Sequence, residues 1–291
     1  MNAPNTAASL AGKKAAIDRE LERLLEGDNR LAEAMRYAVL SGGKRYRALL
    51  LLASGEGFGG ARETLLPFAC GIELIHNYSL VHDDLPCMDD DDFRRGRPSS
   101  HRKFGEGLAL LAGDALQALA FEVMAAAPAG AAGFPRKERA IVAIGRAAGC
   151  RGMIEGQWLD INYSPETATE DSLYELFLKK TGALILASVL AGAELGGADA
   201  GEIKAMEEYG RNLGLAFQLR DDILDSSKET ETAVPSHPNA TALFGVENTR
   251  KRLFGCIDRA LAALDGLPIR HEELRHLASM LRSLDGDETH G

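Results

Sequence analysis

Apolar residues recur three and four positions apart along almost the whole chain. Ile17, Leu21, Leu24 and Leu25 make one such face, and Leu31, Ala34, Met35, Ala38 and Val39 make the next. That spacing puts the side chains on one side of a 3.6-residue helix. The strict alternation of a half-buried strand is nearly absent. Ala, Leu, Glu, Arg and Lys fill the periodic segments, while glycine and proline gather at 55–60, 128–135, 196–201 and 235–238, where they read as helix-to-helix turns. Between these turns the pattern predicts about ten helices. No linker is long or polar enough to divide them, so residues 1–291 are expected to form a single all-α domain.

Two segments echo each other. Leu80-Val81-His82-Asp83-Asp84-Leu85 in the first half and Gln218-Leu219-Arg220-Asp221-Asp222-Ile223-Leu224-Asp225 in the second each bring an Asp-Asp pair to the end of an apolar helix. The separation is far too long for a solenoid repeat and suits two halves of a bundle facing one cavity.

Composition narrows the function classes. With 33 Lys+Arg against 43 Asp+Glu the net charge is −10, which argues against nucleic acid as a partner. Cys70, Cys87, Cys150 and Cys256 stand too far apart for a CxxC zinc site or a secreted disulfide framework. The longest apolar stretch, Ala183–Ala193, is interrupted by Ser188 and Gly192 and falls short of the roughly 18 residues that span a bilayer. A chain that does not span a membrane is therefore expected. No signal peptide is read in Met1–Gly12 or after Lys13-Lys14, so the expected location is cytoplasmic.

Chemistry concentrates where charge interrupts apolar helices. A helix from near Leu65 holds Asp83 and Asp84, and Pro86 then turns the chain to present Asp89. Arg94-Arg95 follow directly, so the acidic run is no ordinary solvated loop, and a divalent cation is its natural companion. An EF-hand counted from Asp89 fails, with Phe93, Arg94 and Ser100 at its fifth, sixth and twelfth positions. Carboxylates that leave coordination sites to water and phosphate suit magnesium. In the second cluster, Asp221 and Asp225 lie about 40° apart on one helix face, together with Gln218.

Anionic substrates need basic partners. Gly42-Gly43-Lys44-Arg45-Tyr46-Arg47 reads as a glycine turn opening the apolar helix Ala48–Ala53, with Lys44 and Arg47 beside the helix N-terminus as a diphosphate-sized anion site. A P-loop is excluded by Ala38 and Arg45 at its required glycine and Ser/Thr positions. Gly55-Glu56-Gly57-Phe58-Gly59-Gly60 satisfies GxGxxG, yet no strand–helix alternation surrounds it, and a helix C-terminal glycine turn is the simpler reading. Lys179-Lys180-Thr181-Gly182 reads as a basic helix start before Ala183–Leu195, and Gln157-Trp158-Leu159-Asp160 as core and cap positions. Of the seven histidines, His76 and His82 are placed for function, on the helix that carries Asp83.

On these residues the chain resembles the trans-prenyltransferase (polyprenyl synthase) family, most closely its bacterial farnesyl diphosphate synthase, or geranyltranstransferase, branch. His82–Asp89 followed by Arg94-Arg95-Gly96 is similar to the family's first aspartate-rich motif in its DDxxxxD form, and Asp221–Asp225 to the second. The resemblance implies the isoprenoid synthase fold, a bundle of ten or more helices around a deep cavity, as a homodimer. It implies three magnesium ions, with manganese as an alternative, gripping an allylic diphosphate. Asp83, Asp84 and Asp89 would serve two ions, and Asp221 and Asp225 the third, with Asp222 counted among the catalytic residues. Lys44, Arg47, His76 and Arg95 would hold isopentenyl diphosphate, and Arg94, Lys180, Thr181 and Gln218 the allylic substrate, with Lys180 and Thr181 also catalytic.

The implied reaction is head-to-tail condensation to farnesyl diphosphate. Tyr78 lies five residues before Asp83, hence about 7–8 Å deeper along that helix, with Ser79 beside it. An aromatic ring there would floor the cavity at fifteen carbons. One departure stands out: Ser226–Phe244 has no glycine or aspartate, Lys228 is its only lysine, and His237 falls about where the family has a later lysine. Ser226–Asn239 is expected to be mobile without ligand, and the altered segment to limit turnover. The competing readings are a geranylgeranyl diphosphate synthase, a class I terpene cyclase and a low-activity regulatory subunit.

Overall fold

The computed structural model describes residues 6–131, 133–164, 167–226, 238–268 and 271–284. Fourteen α-helices occur among them: α1 (Thr6–Leu24), α2 (Arg30–Val39), α3 (Tyr46–Gly57), α4 (Arg62–Asp83), α5 (Ser100–Phe104), α6 (Glu106–Ala126), α7 (Gly133–Ala148), α8 (Met153–Ile161), α9 (Glu170–Phe177), α10 (Ala183–Gly196), α11 (Ala200–Ser226), α12 (Ala240–Phe244), α13 (Val246–Ala263) and α14 (Glu272–Met280). The one strand pair among the described residues is a two-residue antiparallel hairpin, Phe93–Arg94 with Arg97–Pro98. The all-α expectation holds.

Local sequence sets several helix ends. Asn29 starts α2 by accepting the Ala32 N–H at 2.8 Å, Thr169 and Ser172 form a reciprocal capping box on α9, and Asn239 caps α12. Lys137 Nζ on α7 donates to the Ala125 and Ala127 carbonyls at 2.6 and 2.5 Å, satisfying the C-terminal end of α6.

Helices α3, α4, α10 and α11 form the core, with α6 along α4, α7 along α10 and α13 along α11. The GxGxxG segment is resolved as glycine packing. Gly55 and Gly57 lie inside α3, and Gly59 turns the chain at φ 89°. A Cβ on Gly192 of α10 would lie 2.4 Å from the Leu51 carbonyl oxygen, and one on Gly196 2.6 Å from that of Gly55. The two helix backbones can touch only because these residues have no side chain.

Four sequence expectations are corrected. The helix carrying the first aspartates begins at Arg62, and the helix after Gly42-Gly43 begins at Tyr46 and runs to Gly57. Lys179–Gly182 is no helix start: it lies within a π-helical turn, Leu178–Gly182, between α9 and α10. The membrane criterion also changes, because α6 and the run Glu170–Gly196 are by length and composition long and apolar enough to cross a bilayer. Counting uninterrupted apolar runs misses helices that carry a few charges. Of the apolar window within Glu170–Gly196, 61% is buried within the protein, as in a core helix of a bundle.

Candidate active site

The first acidic motif is built by the end of α4. Asp83 is its last residue and Asp84 its cap, and after Pro86 the chain folds back so that the Asp89 N–H donates to the Asp83 carbonyl at 2.9 Å. Asp83 and Asp84 then diverge. Asp83 faces a cavity of about 520 Å³, whereas Asp84, 2% exposed, turns away and accepts from Arg94 Nε at 2.9 Å.

That cavity is largely apolar, with Tyr78, Leu80, Leu85, Met88, Leu110 and Met153 in its wall. Tyr78 and Ser79 both line it, as does His82, whose ring meets Tyr78 edge-on at 5.7 Å. An adjoining cavity of about 400 Å³ is charged: Arg47, Arg94, Arg95, Asp221 and Asp225 line it. The two share Arg47, His76, Leu80 and Thr181. Of the residues expected to form the site, Lys44, Asp84, Asp89, Gln218 and Asp222 line neither cavity. Lys228 and His237 lie outside the described residues.

Guanidinium groups are gathered with donors to spare. Nε of Arg47 and Nε of Arg95 are buried without a hydrogen-bond partner. An unpaired buried donor is costly, so two of them at one cavity mark a place for an anion. Gly43 (φ 117°) makes room for Arg95, since a Cβ there would sit 3.2 Å from its guanidinium, and Arg95 Nη1 donates to the Gly42 carbonyl at 2.7 Å. Arg47 Nη1 lies 3.4 Å from His76 Nε2. A guanidinium can only donate, so His76 accepts there and carries its proton on Nδ1. Burial, then the charges of Arg47 and Arg95, hold the imidazole well below its ordinary range, so it is neutral.

The carboxylates show the opposite stress. Burial pushes Asp83 up to about 7, against the pull of Lys180, and Asp221 up to about 7, against Arg220. Such acids need a cation. Among the described residues no three His, Cys, Asp or Glu side chains are gathered as a ready-made metal cage. Asp83 on one helix and Asp221 and Asp225 on another offer few ligands each, a donor set that fits magnesium sharing its shell with water and phosphate.

Residues read as core or cap from the sequence prove to belong to the cavity. The π-helical turn places Lys180 and Thr181 in the wall, and Lys180 Nζ is held by Asp160 of α8. Gln157, one turn before Asp160, lines the cavity with its Nε2 buried and unpartnered. Gly156 permits this: a Cβ there would lie 2.2 Å from the Lys180 backbone nitrogen. The glycine was the one legible signal, and it has meaning only once α8 and the turn are known to touch. Sequence reading also passed over Arg45, which sits at φ 56° and buries its guanidinium against Asp18 at 2.8 Å and the Val39 carbonyl at 2.9 Å.

A family model described as polyprenyl synthetase matches residues 28–234. The chain is 39% identical over 278 residues to a farnesyl diphosphate synthase of Geobacillus stearothermophilus, covering 93% of each. It is 46% identical over 202 residues to a putative chloroplastic geranylgeranyl pyrophosphate synthase of Arabidopsis thaliana, spanning 68% of this chain but only 56% of that relative's length. An apo crystal structure of a FPP/GFPP synthase from Zymomonas mobilis superposes with a TM-score of 0.84 at 36% identity, covering 96% of this chain and 98% of the other.

Proposed function

The chain belongs to the polyprenyl synthetase family, and from that premise we propose that it joins isopentenyl diphosphate head-to-tail to dimethylallyl or geranyl diphosphate, with farnesyl diphosphate as product. The observation that carries this reading is the pair of adjoining cavities, one charged and one apolar, meeting at Arg47, His76, Leu80 and Thr181. A substrate with a diphosphate head and a hydrocarbon tail needs both.

Arg47 and Arg95, both in the wall of the charged cavity, hold the isopentenyl diphosphate through their guanidinium groups, and neutral His76 orients Arg47. Asp83, Asp221 and Asp225 would bind the magnesium; Asp84, turned to Arg94, and Asp89 line neither cavity, and a ligand role for them rests on the resemblance of the first motif alone, as do three ions per site and their replacement by manganese. Magnesium held by these carboxylates would supply charge neutralisation for the departing diphosphate; the allylic C–O bond breaks with its electron pair going to that diphosphate. Lys180, fixed by Asp160, adds positive charge on the same side. The isopentenyl double bond then forms the new C–C bond, and a proton leaves to the released diphosphate. Leu80, Leu85, Met88 and Leu110 keep water from the cation.

Incubation with labelled isopentenyl diphosphate and each allylic partner in magnesium tests this. Labelled farnesyl diphosphate is the expected product. A cyclic hydrocarbon made without isopentenyl incorporation would establish a cyclase, and no product at all would leave the regulatory reading. Arg47→Ala should raise the isopentenyl KM about 10- to 100-fold, the worth of a charged hydrogen bond. Lys44→Ala should raise it less, because Lys44 lies outside both cavity walls.

Chain length is set by Tyr78. Its ring is 5% exposed at the cavity wall, and its hydroxyl reaches the Ala148 carbonyl at 3.5 Å. Tyr78→Ala should shift the product from fifteen towards twenty carbons in a chromatographic assay; an unchanged product would put the floor elsewhere.

The expected homodimer finds support in α6, about a third of whose apolar window is buried, with Leu110 and Leu111 46% and 56% exposed. Across the cavity that both helices line, α8 exposes Ile154, Trp158 and Ile161 at helical spacing. Leu111→Arg should lower the sedimenting mass to that of a monomer. One domain, a chain that does not span the membrane and a cytoplasmic location complete the reading.

A further inference from the structure

Within the second acidic motif the three aspartates face different ways. Asp221 and Asp225 line the charged cavity, while Asp222 lines neither cavity and is 4% exposed. Both of its carboxylate oxygens are already engaged. Oδ2 accepts the backbone N–H of Ala240, the first residue of α12, at 2.6 Å, and Oδ1 accepts from Gln218 Nε2, one turn earlier on α11, at 3.0 Å. Gln218 Oε1 in turn accepts from the Thr181 hydroxyl at 2.9 Å.

The direction of every bond in this chain follows from its end. An ionised carboxylate can only accept, so the Gln218 NH2 must face Asp222. The amide oxygen must therefore face Thr181, and the Thr181 hydroxyl must donate its one proton to that oxygen. Its lone pairs are left for the cavity side. Thr181 is one of four residues lining both cavities, at the junction where a diphosphate head and a hydrocarbon tail would meet.

We propose that Asp222 is a positioning residue and not a metal ligand: through Gln218 it fixes the polarity of the Thr181 hydroxyl, so that an oxygen lone pair and not a hydrogen faces the reacting end of the allylic substrate. This rests on the prenyl-transfer reading. A cation forming at that carbon is stabilised by a lone pair and destabilised by an O–H dipole pointing at it, so the direction of one hydroxyl bears on kcat.

Asp222→Asn separates the two roles. The amide oxygen it introduces can still accept from Ala240, but the accompanying NH2 then faces Gln218, which must flip and present its own NH2 to Thr181. The expected result is a kcat about 100-fold lower, with the isopentenyl KM within about twofold of wild type. Asp222→Asn combined with Gln218→Glu restores the order at the same net charge. The carboxylate then placed at position 218 accepts from the amide at position 222 on one side and from Thr181 on the other, and kcat should recover to within about tenfold of wild type. A metal ligand would not be rescued this way, and a double variant no better than the single one overturns the proposal, as does an Asp222→Asn enzyme with wild-type kcat. On a Thr181→Val background, adding Asp222→Asn should change kcat by less than about threefold, and a full additive loss overturns the proposal as well. Independently of turnover, the rise in melting temperature produced by magnesium with inorganic diphosphate should be the same in wild type and Asp222→Asn. Loss of that rise makes Asp222 a ligand and sinks the proposal. Wild-type turnover, measured alongside, reports separately on the prenyl-transfer reading.

Discussion

Asp221→Asn is expected to lower turnover at least about 1000-fold while raising the melting temperature of the metal-free protein at pH 8. Both effects have one cause. Asp221 is held half-buried at the charged cavity, where burial lifts it to about 7 against the opposing pull of Arg220, and Asp222 and Asp225 lift it further. A carboxyl with a raised folded-state value binds its proton more tightly folded than unfolded. Its stabilising contribution is therefore complete below the unfolded value near 3.8 and is lost as the pH rises through about 7. Asparagine imitates the protonated acid at every pH. The variant's thermal advantage should thus be largest at and above pH 7 and shrink as the pH falls towards 4. Circular-dichroism melts in EDTA across that range check the stability arm, and the labelled-product assay checks the activity arm. A variant that keeps a tenth of wild-type turnover would remove Asp221 from the site.

Gly156→Ala should be nearly as damaging, although the residue bears no chemistry. Its Cβ would lie 2.2 Å from Lys180 N, 2.4 Å from Lys180 Cα and 2.7 Å from the Lys179 carbonyl carbon, all backbone, so no side chain can swing aside. Either α8 or the π-helical turn must move. The turn carries Lys180 and Thr181, and displacement of positioning groups by about 1 Å costs on the order of 100-fold in rate. Overpacking should also cost about 1–3 kcal/mol of stability. Gly145→Ala is the control: inside α7 its Cβ would meet only Phe121 ring carbon at an ordinary 3.7 Å and 3.9 Å, and alanine is the better helix former. It should melt at or slightly above wild type with unchanged turnover. Equal behaviour of the two variants would show that α8 and the turn are not in fixed contact.

Most of the residues that recognise charge were legible because charge on an apolar helix is costly, and Arg94 and Arg95, on the hairpin, because a cationic pair follows an acidic run. Asp83, Asp221, Asp225, Arg47, His76, Arg94 and Arg95 were all read from the chain, and all line the two cavities. Tyr78 and Ser79 were placed in the wall by counting residues along a helix, which works because α4 is regular from Arg62 to Asp83. Lys180 and Thr181 entered only through family resemblance. Periodicity alone made them a helix start, since a π-helical turn leaves the 3.6-residue pattern nearly intact.

Helical periodicity by itself determined the all-α class, and the spacing of acidic and basic residues by itself raised the expectation of a diphosphate and a metal. Those properties reside in one helix at a time. Which way neighbouring aspartates face was decided only by tertiary structure. Asp83 and Asp84 are adjacent in sequence, yet one meets the cavity and the other Arg94; Asp221 and Asp222 are adjacent, yet one meets the cavity and the other Gln218 and Ala240. Successive residues on a helix point about 100° apart, so a motif's letters fix the directions only relative to each other. What each direction meets depends on α12 and on the π-helical turn, which long-range packing brings to the motif.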